Sequence, residues 1–457
     1  MSERTRGFKS PSSRHPPAAG DILLHALRFS SSVKAYIESH GCTMNYGEGR
    51  LARSRMEASG YTFVSSPEDA DVLLLNTCGV IGLTENSMMR RIGELGALGK
   101  QLLVTGCLAP LREREIRLAS PGAMVFAPSD FQALDSMLNL KIGRDMDCWN
   151  DATSNDIIVP VQQGCLSLCT YCFSRLARGN VRSIRPERVL SMIRSSISPG
   201  TTREIMLSGM DTITYGRDIG TTLPELLRSI SALEGDFRVR VGMMNPSLLT
   251  PLLDELLDAF SDPRIYRFFH IPFQSGSEGV LKRMKRGNTA SRFLEIVARV
   301  RERYPDMTLS TDIIVGFPGE SEDDFDRSLE VMSEARPDIV NVTRFSARPG
   351  TPASVMDGQV PGWVMKERSR RATALRFSIS AGRNISYVGR RVQVLATERG
   401  KNGFTIGRLQ NYRQAIIRGE HMPGQMVDCA VTGYSPVHLV CEPLIREVAP
   451  RQASNKA

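Results

Sequence analysis

The sequence predicts an α/β protein in which three folded parts follow one another. Two stretches alternate apolar, strand-like runs with polar, helix-like runs, which is typical of parallel sheets with crossover helices. A third stretch changes to short alternating runs separated by Gly, Asn and Pro, as in a small antiparallel barrel. The length of 457 residues agrees with this division, since one domain takes about 150 residues, and it argues against a lone binding module.

The first part, residues 33–145, repeats a strand-then-helix unit. The three units are VKAYIESHG with EGRLARSRMEASG, DVLLLNTCG with ENSMMRRIGELGALGK, and QLLVTG with PLREREIRLAS. We therefore expect an N-terminal α/β domain with a parallel sheet.

The second part, residues 150–375, contains six further strand candidates with helix candidates after them. The strands are IIVPVQQG, REIMLSG, RVRVGMMN, IYRFFHIPFQ, MTLSTDIIVGF and DIVNVTRFS. Six units predict a curled, partly closed (βα)6 barrel, because a full ring needs eight. Active-site residues are then expected at the C-terminal ends of the strands.

The third part, residues 383–445, predicts a small antiparallel β-barrel with a basic surface. This part contains eight basic and four acidic residues, which gives a net charge of +4. The basic residues are Arg383, Arg390, Arg391, Arg399, Lys401, Arg408, Arg413 and Arg418, and the acidic ones are Glu398, Glu420, Asp428 and Glu442. The pattern favours a nucleic-acid-binding barrel, and a solvated charged surface is the alternative.

The composition of the chain and the character of its two ends indicate the kind of partner and the extent of the folded region. The whole chain has 58 Lys and Arg against 49 Asp and Glu, and this basic excess favours a polyanionic partner. No run approaches the roughly 18 apolar residues of a membrane span. Residues 1–32 are rich in Ser, Pro and Arg and are expected to be a disordered leader, although their few acids also fit an organellar transit peptide. Residues 446–457 are expected to be a disordered tail.

The chain contains nine cysteines but no apolar secretory segment at its start. We therefore expect reduced thiols that act as ligands or nucleophiles, in a cytoplasmic protein, rather than disulfides. Cys148, Cys429 and Cys441 have no ligand spacing and are interpreted as structural.

Cys165, Cys169 and Cys172 form a C-x3-C-x2-C motif after the first strand of the second part. Three thiolates on one loop can hold a cubane iron–sulfur cluster, and its fourth iron then lacks a local protein ligand. Zinc is the alternative, but structural zinc takes four ligands and no nearby Cys or His completes the set.

Cys42, Cys78 and Cys107 each follow a different strand of the first part. The C-terminal ends of parallel strands share one edge of the sheet, where ligands gather, so the three thiols should converge. Free cysteines are often simply buried apolar residues, but that alternative does not require placement at three strand ends. We favour a second cluster with one open iron.

Two cysteine triads followed by a basic barrel resemble the radical S-adenosylmethionine (SAM) methylthiotransferases, over residues 33–445. Local runs are most similar to the archaeal and eukaryotic branch of that family. They are NTCGV (76–80), TEN (84–86), GCL (106–108), GCL (164–166), ARG (177–179), RVGMMNP (240–246), HIPFQSG (270–276), TDIIVGFPGE (311–320) and RPGT (348–351). The resemblance implies an N-terminal cluster domain, a radical SAM barrel and a C-terminal TRAM domain.

The resemblance also implies cofactors, reaction and partners. Cys165, Cys169 and Cys172 would hold a [4Fe–4S] cluster whose open iron binds SAM, and the N-terminal triad would hold a second [4Fe–4S] cluster that carries the sulfur or methylthio group. The branch acts at C2 of threonylcarbamoyladenosine in the tRNA anticodon loop. An electron donor of flavodoxin or ferredoxin type is implied as well, together with a sulfur donor that the sequence does not identify.

By the same resemblance, eight residues contact SAM. They are Tyr171, Gly209, Asp211, Asn245, Gln274, Ser275, Asp312 and Gly316. Most lie at or near strand ends, and ordinary turn residues are the alternative. The chain departs from the branch at Met210, where an acidic residue is usual.

Arginines after the cluster loop and basic residues of the barrel are expected to hold RNA phosphates. They are Arg175, Arg178, Arg182, Arg185 and Arg188, with Arg390, Arg391, Lys401, Arg408 and Arg413 in the barrel. Internal ion pairs or a solvated face are the alternative, and Lys282, Arg283, Lys285 and Arg286 are equally ambiguous.

Other functions share some of these features. A methylthiotransferase could act on another tRNA adenosine or on a ribosomal-protein aspartate, although the Cys-Gly-Val and Ala-Arg-Gly contexts weaken the latter. A non-catalytic iron–sulfur RNA-binding or redox-sensing protein would need the cysteines and the basic barrel but not SAM.

Overall fold

The computed structural model describes residues 32–141, 155–197 and 200–444. Apart from Ser32, the expected leader and tail lie outside the described residues, as does Cys148. Within the described ranges, no helix combines the length and the apolarity that crossing a bilayer requires.

The first part forms a five-stranded, wholly parallel sheet with helices on both faces. Its elements are β1 (Lys34–Ser39), α1 (Thr43–Ala58), β2 (Thr62–Phe63), β3 (Val72–Thr77), α2 (Gly82–Gly96), β4 (Gln101–Gly106), α3 (Glu113–Ala119), β5 (Met124–Val125) and α4 (Phe131–Leu138). The strand order is β2-β1-β3-β4-β5. Central β3 is buried along its whole length because Leu73 and Leu75 pack on one face of the sheet and Val72 and Leu74 on the other. The predicted α/β class is confirmed.

The second part contains the six predicted barrel strands and one extra hairpin. Its strands are β6 (Asp156–Pro160), β7 (Gln162–Gln163), β8 (Arg182–Ser183), β9 (Arg203–Ser208), β10 (Phe237–Val241), β11 (Phe268–His270), β12 (Thr308–Val315) and β13 (Ile339–Arg344). Its helices are α5 (Phe173–Arg178), α6 (Pro186–Ser196), α7 (Leu223–Ser231), α8 (Pro246–Leu249), α9 (Leu253–Ala259), α10 (Glu278–Arg283), α11 (Ala290–Arg303), α12 (Glu322–Ala335) and α13 (Gly362–Asn384).

The barrel is partial and composed of two three-stranded parallel sheets. Their strand orders are β10-β9-β6 and β11-β12-β13. A backbone bridge between Val239 and Ile265 connects them, with the Tyr266 N–H donating to Val239 O at 2.9 Å. The extra hairpin, β7 with β8, encloses the C-x3-C-x2-C loop and α5. This arrangement places the cysteine loop at the C-terminal ends of the barrel strands.

The third part is a closed five-stranded barrel. Its strands are β14 (Arg391–Arg399), β15 (Phe404–Arg408), β16 (Gln414–Arg418), β17 (Met426–Tyr434) and β18 (Leu439–Pro443), in the order β14-β15-β16-β18-β17. The pairing is antiparallel except between β16 and β18, which are parallel, so the expectation of a purely antiparallel barrel is corrected at this closing pair. Cys429 and Cys441 are buried in the barrel core.

Helix α1 of the first part packs against β6, the edge strand of the partial barrel. Gly47 makes this close approach possible, because a Cβ at that position would lie 2.7 Å from Ile158 Cγ2. Leu51 joins the barrel core, and Arg50 donates to the backbone oxygen of Asp156 at 2.9 Å. The edge of the first sheet that carries the cysteines therefore faces the barrel.

Candidate active site

The three N-terminal cysteines are brought together around the side chain of Asn45. Cys42 precedes α1, and Cys78 and Cys107 follow β3 and β4. The buried Asn45 amide donates to His40 O at 2.8 Å and to Thr77 O at 2.9 Å, and its Oδ1 lies 3.9 Å from the Cys107 sulfur. One asparagine thus connects all three cysteine-bearing strand ends.

Arg178, from helix α5 of the second part, reaches into this triad. Its Nε donates to the Cys107 sulfur at 3.2 Å, and its two Nη groups donate to Glu48 at 2.6 and 2.8 Å. Nη2 also donates to Asn45 Oδ1 at 2.6 Å. The side chain is 1% exposed, so the expectation that Arg178 contacts RNA phosphates is wrong. Although burial opposes the charge, Glu48 and Cys107 raise the pKa of Arg178, which therefore stays cationic.

The second triad occupies the loop between β7 and α5. The Ser167 N–H donates to the Cys165 sulfur at 3.3 Å, and the Arg175 N–H donates to the sulfur of Cys172, which caps α5, at 3.4 Å. Nη1 of the buried Arg286 lies 3.7 Å from the Cys169 sulfur. Each triad therefore has one buried arginine directed at one of its thiols.

A cavity of about 350 Å³ is bordered by the whole second triad but by only one cysteine of the first, since Cys78 and Cys107 are buried and are not among its lining residues. Its wall includes Cys42 from the first sheet and all three cysteines of the second triad. The remaining lining residues come mainly from the C-terminal ends of barrel strands and include Gly209, Met210, Arg240, Met243, His270, Gln274 and Arg286. Thiols from two separate domains thus face a common space.

The donor chemistry fits iron–sulfur clusters. Burial raises the pKa of Cys107 to about 11 and that of Cys172 to about 12, so the metal-free thiols are protonated at neutral pH and cluster binding must displace protons. Cationic and backbone N–H donors already point at the sulfurs that would become anionic. Among the described residues, no group of three His, Cys, Asp or Glu side chains is arranged to hold a metal ion.

Three of the expected SAM contacts, Tyr171, Gly209 and Gln274, line the cavity. Two others lie directly behind the wall. The Asn245 N–H donates to Asp211 Oδ1 at 2.9 Å, and the Asn245 side chain holds the hydroxyl of Ser167, which does line the cavity, at 2.8 Å. Asp211 Oδ2 is buried with no hydrogen-bond partner, and burial raises the pKa of Asp211 to about 6.

Asp312 contacts His270, a cavity residue that the sequence analysis did not single out as a site residue. Its carboxylate pairs with His270 Nε2 at 3.0 Å and accepts from Asn341 Nδ2 at 2.6 Å. His270 lines the cysteine cavity, whereas Asp312 lines an adjoining one of about 270 Å³, which Gln274 shares. The position of His270 at the end of β11 is the signal that could have identified it.

Ser275 and Gly316 line neither cavity, and their expected contact with SAM stays a prediction. Ser275 is fully buried and its hydroxyl accepts from the Ser277 N–H at 3.2 Å. The Gly316 N–H donates to Glu320 at 2.6 Å, and its Cα faces the Met365 side chain. Ser275 follows the backbone bridge between Gln274 and Ile313, and Gly316 directly follows β12.

The basic residues expected to hold RNA divide into exposed and buried groups. Arg182, Arg185, Arg188, Arg390, Arg391 and Lys401 are exposed, and Arg175 and Arg408 are half-buried. Arg413 is buried and pairs with Asp338 and Asn384, so its expected phosphate contact is wrong. Arg390 has a 3.6 Å contact with Asp306, and its guanidinium lies over the Tyr387 ring, 4.9 Å from the ring centroid.

Three family profiles match the chain in succession. They are the uncharacterized protein family UPF0004 over residues 34–127, the Radical SAM superfamily over residues 159–332, and the TRAM domain over residues 386–436. With a C-x3-C-x2-C loop at the C-terminal face of a partial barrel, these matches define a radical SAM enzyme. Such an enzyme uses a [4Fe–4S] cluster and SAM.

Similar proteins specify the family. A probable threonylcarbamoyladenosine tRNA methylthiotransferase of Pyrococcus horikoshii is 40% identical over 424 residues, which cover 90% of this chain and 99% of that protein. Its counterpart in Archaeoglobus fulgidus is 40% identical over 413 residues, covering 87% and 96%. A tRNA-2-methylthio-N(6)-dimethylallyladenosine synthase of Clavibacter michiganensis is 35% identical over 440 residues, covering 89% and 82%. The chain belongs to the radical SAM methylthiotransferase family, and the resemblance inferred from its cysteines is confirmed.

Proposed function

We propose that this enzyme transfers a methylthio group to C2 of threonylcarbamoyladenosine beside the anticodon of tRNA. The observation that carries the substrate assignment is the 40% identity, over about nine-tenths of the chain, to relatives named for that activity, against 35% to a relative named for the dimethylallyl substrate. The cavity that Cys42 of the first triad lines together with all three cysteines of the second supports the reaction class.

Residues of the second triad hold the cofactor that breaks the C–H bond. When bound by Cys165, Cys169 and Cys172, the cluster with SAM supplies a radical that can remove hydrogen from an unactivated carbon, which acid–base side chains cannot do. Leu207, Met210 and Met243 give the cavity an apolar wall, which disfavours water beside this chemistry. Gln274 and His270 offer hydrogen bonds to SAM or to the edge of the adenine base.

The N-terminal triad is proposed to hold a second cluster, whose open iron carries the transferred group. Support comes from the convergence of Cys42, Cys78 and Cys107 around Asn45 and from the place of Cys42 on the wall of the shared cavity. Because Cys42 and the second triad border the same space, the group and the radical can reach one substrate carbon.

The partners follow from the same proposal. The anticodon loop presents an unpaired base that can be read by stacking and edge contacts. Exposed basic residues, among them Arg182, Arg391 and Lys401, are proposed to hold its phosphates. A flavodoxin- or ferredoxin-type donor supplies electrons in the cytoplasm.

Nucleoside mass spectrometry tests the substrate. Anaerobically reconstituted enzyme with SAM, a reductant and a sulfide source is expected to convert threonylcarbamoyladenosine in tRNA to its 2-methylthio derivative. tRNA that carries dimethylallyladenosine, and tRNA without either modification, are the matched controls. Methylthiolation of the dimethylallyl substrate alone would contradict the assignment but keep the reaction class.

Charge reversal tests the RNA surface. Arg390→Glu with Lys401→Glu should weaken tRNA binding and reduce the slope of log Kd against log salt by about one for each lost phosphate contact, as measured by titration at several salt concentrations. Arg114→Glu, at an exposed arginine on α3 of the first domain, is the control and should leave the slope unchanged. An unchanged slope in the double variant would remove these two residues from the RNA surface.

A further inference from the structure

We propose that Arg178 is a positioning residue for the N-terminal cluster, supplied by the radical SAM domain, and that it raises the reduction potential of that cluster. The inference rests on the proposed second cluster. It concerns a residue for which the sequence analysis expected a phosphate contact, with an internal ion pair or a solvated face as the alternative.

The contacts of Arg178 exceed what a structural ion pair requires. The two Nη groups already satisfy Glu48 at 2.6 and 2.8 Å, which neutralises the guanidinium. Nε nevertheless donates to the Cys107 sulfur at 3.2 Å. A planar fork with donors on separate edges can make both contacts at once, which a lysine ammonium cannot.

The direction of the effect follows from electrostatics. A cluster gains negative charge when it is reduced, and hydrogen bonds and positive charge at its cysteine sulfurs stabilise that state. Arg178 supplies this hydrogen bond at Cys107 from a charged donor, in an enclosed site where screening by water is weak, while Glu48 offsets its net charge. Removing it should therefore shift the potential to a more negative value and loosen the cluster.

Because Arg178 lies at the C-terminal end of helix α5, its contact with Cys107 also connects the two cysteine triads. The helix begins after Cys172, a ligand of the SAM-binding cluster, and ends at Arg178, which contacts a ligand of the other cluster. Six residues at about 1.5 Å per residue span about 9 Å. One short helix therefore links the two triads and fixes their separation across the domain boundary.

The test isolates the N-terminal cluster. The parent protein carries Cys165→Ala, Cys169→Ala and Cys172→Ser, the last keeping an oxygen that can cap α5. Arg178→Met and Arg178→Lys are added to this parent. The control is Arg55→Met, which removes a largely buried arginine that belongs to the N-terminal domain itself and whose Nε donates to Asp135 at 3.0 Å, away from the cysteines.

Two measurements are made after anaerobic reconstitution: the midpoint potential, by redox titration followed by electron paramagnetic resonance, and the rate of iron loss to a chelator. Arg178→Met should have a more negative potential and lose iron about 10- to 100-fold faster. In Arg178→Lys the midpoint potential should shift less, because lysine keeps the positive charge but lacks the planar guanidinium group that contacts Glu48 and Cys107 together. Arg55→Met should match the parent in both measurements.

The outcomes separate this inference from the proposed function. An Arg178→Met protein with the potential and iron retention of the parent overturns the role of Arg178 and leaves the second cluster standing. If Arg178→Met does not fold, Arg178→Lys decides by the same two measurements. A parent that binds no cluster overturns the second cluster itself, and this inference with it.

Discussion

Replacing Cys42, Cys78 and Cys107 together by alanine is expected to abolish methylthio transfer while SAM cleavage continues. The second triad lies on a different loop and should keep its cluster, so iron should fall from about eight to about four atoms per chain. 5′-Deoxyadenosine should still be released on anaerobic reduction. Iron analysis and chromatography of the nucleoside products measure both effects.

The converse variant separates the two roles. Alanine at Cys165, Cys169 and Cys172 should also leave about four irons but should stop the release of 5′-deoxyadenosine altogether. Cys429→Ala and Cys441→Ala are the controls, because these cysteines are buried in the C-terminal barrel core and belong to neither triad. They should keep the full iron content. Methylthio transfer by the N-terminal triple variant would show that the first triad is dispensable.

Local signals made much of this site predictable. The second triad is contiguous in sequence, so its spacing alone indicates a cluster. The first triad is dispersed, yet each cysteine follows an apolar strand, and parallel strands end at a common edge. The fold class was equally accessible because strand and helix runs alternate with a clear period.

Long-range partners were not predictable from the sequence. Arg178 and Arg413 look like other arginines, and only the fold shows that Glu48, 130 residues away, and Asp338, 75 residues away, neutralise them. The parallel closure of β16 with β18 and the wall position of His270 are likewise products of tertiary placement. The sequence does not show which residue will neutralise a given charge. The expected phosphate contacts were therefore wrong for Arg178 and Arg413, which are buried and ion-paired.

The largest effect of a single substitution is expected for Gly164→Ala, next to Cys165. Gly164 has φ +73°, and an added Cβ would lie 1.9 Å from the backbone oxygen of Asn180. A non-glycine residue in this conformation costs about 1–3 kcal/mol. The clash is an additional penalty, which only movement of the backbone can relieve. That movement would break the bond from the Cys165 N–H to Gly179 O, 3.2 Å long, which fixes the first ligand of the loop.

Gly164→Ala should therefore lose the SAM-binding cluster and the release of 5′-deoxyadenosine while the N-terminal cluster remains, giving about four irons per chain. Gly99→Ala separates the clash from the backbone strain, because Gly99 has φ +67° but nothing within 4 Å of an added Cβ. It should lower the free energy of unfolding by only about 1 kcal/mol and keep all its iron. A Gly164→Ala protein with full iron and normal SAM cleavage would mean that the loop can move without losing its ligands. The geometry around Cys165 would then not be what holds the cluster.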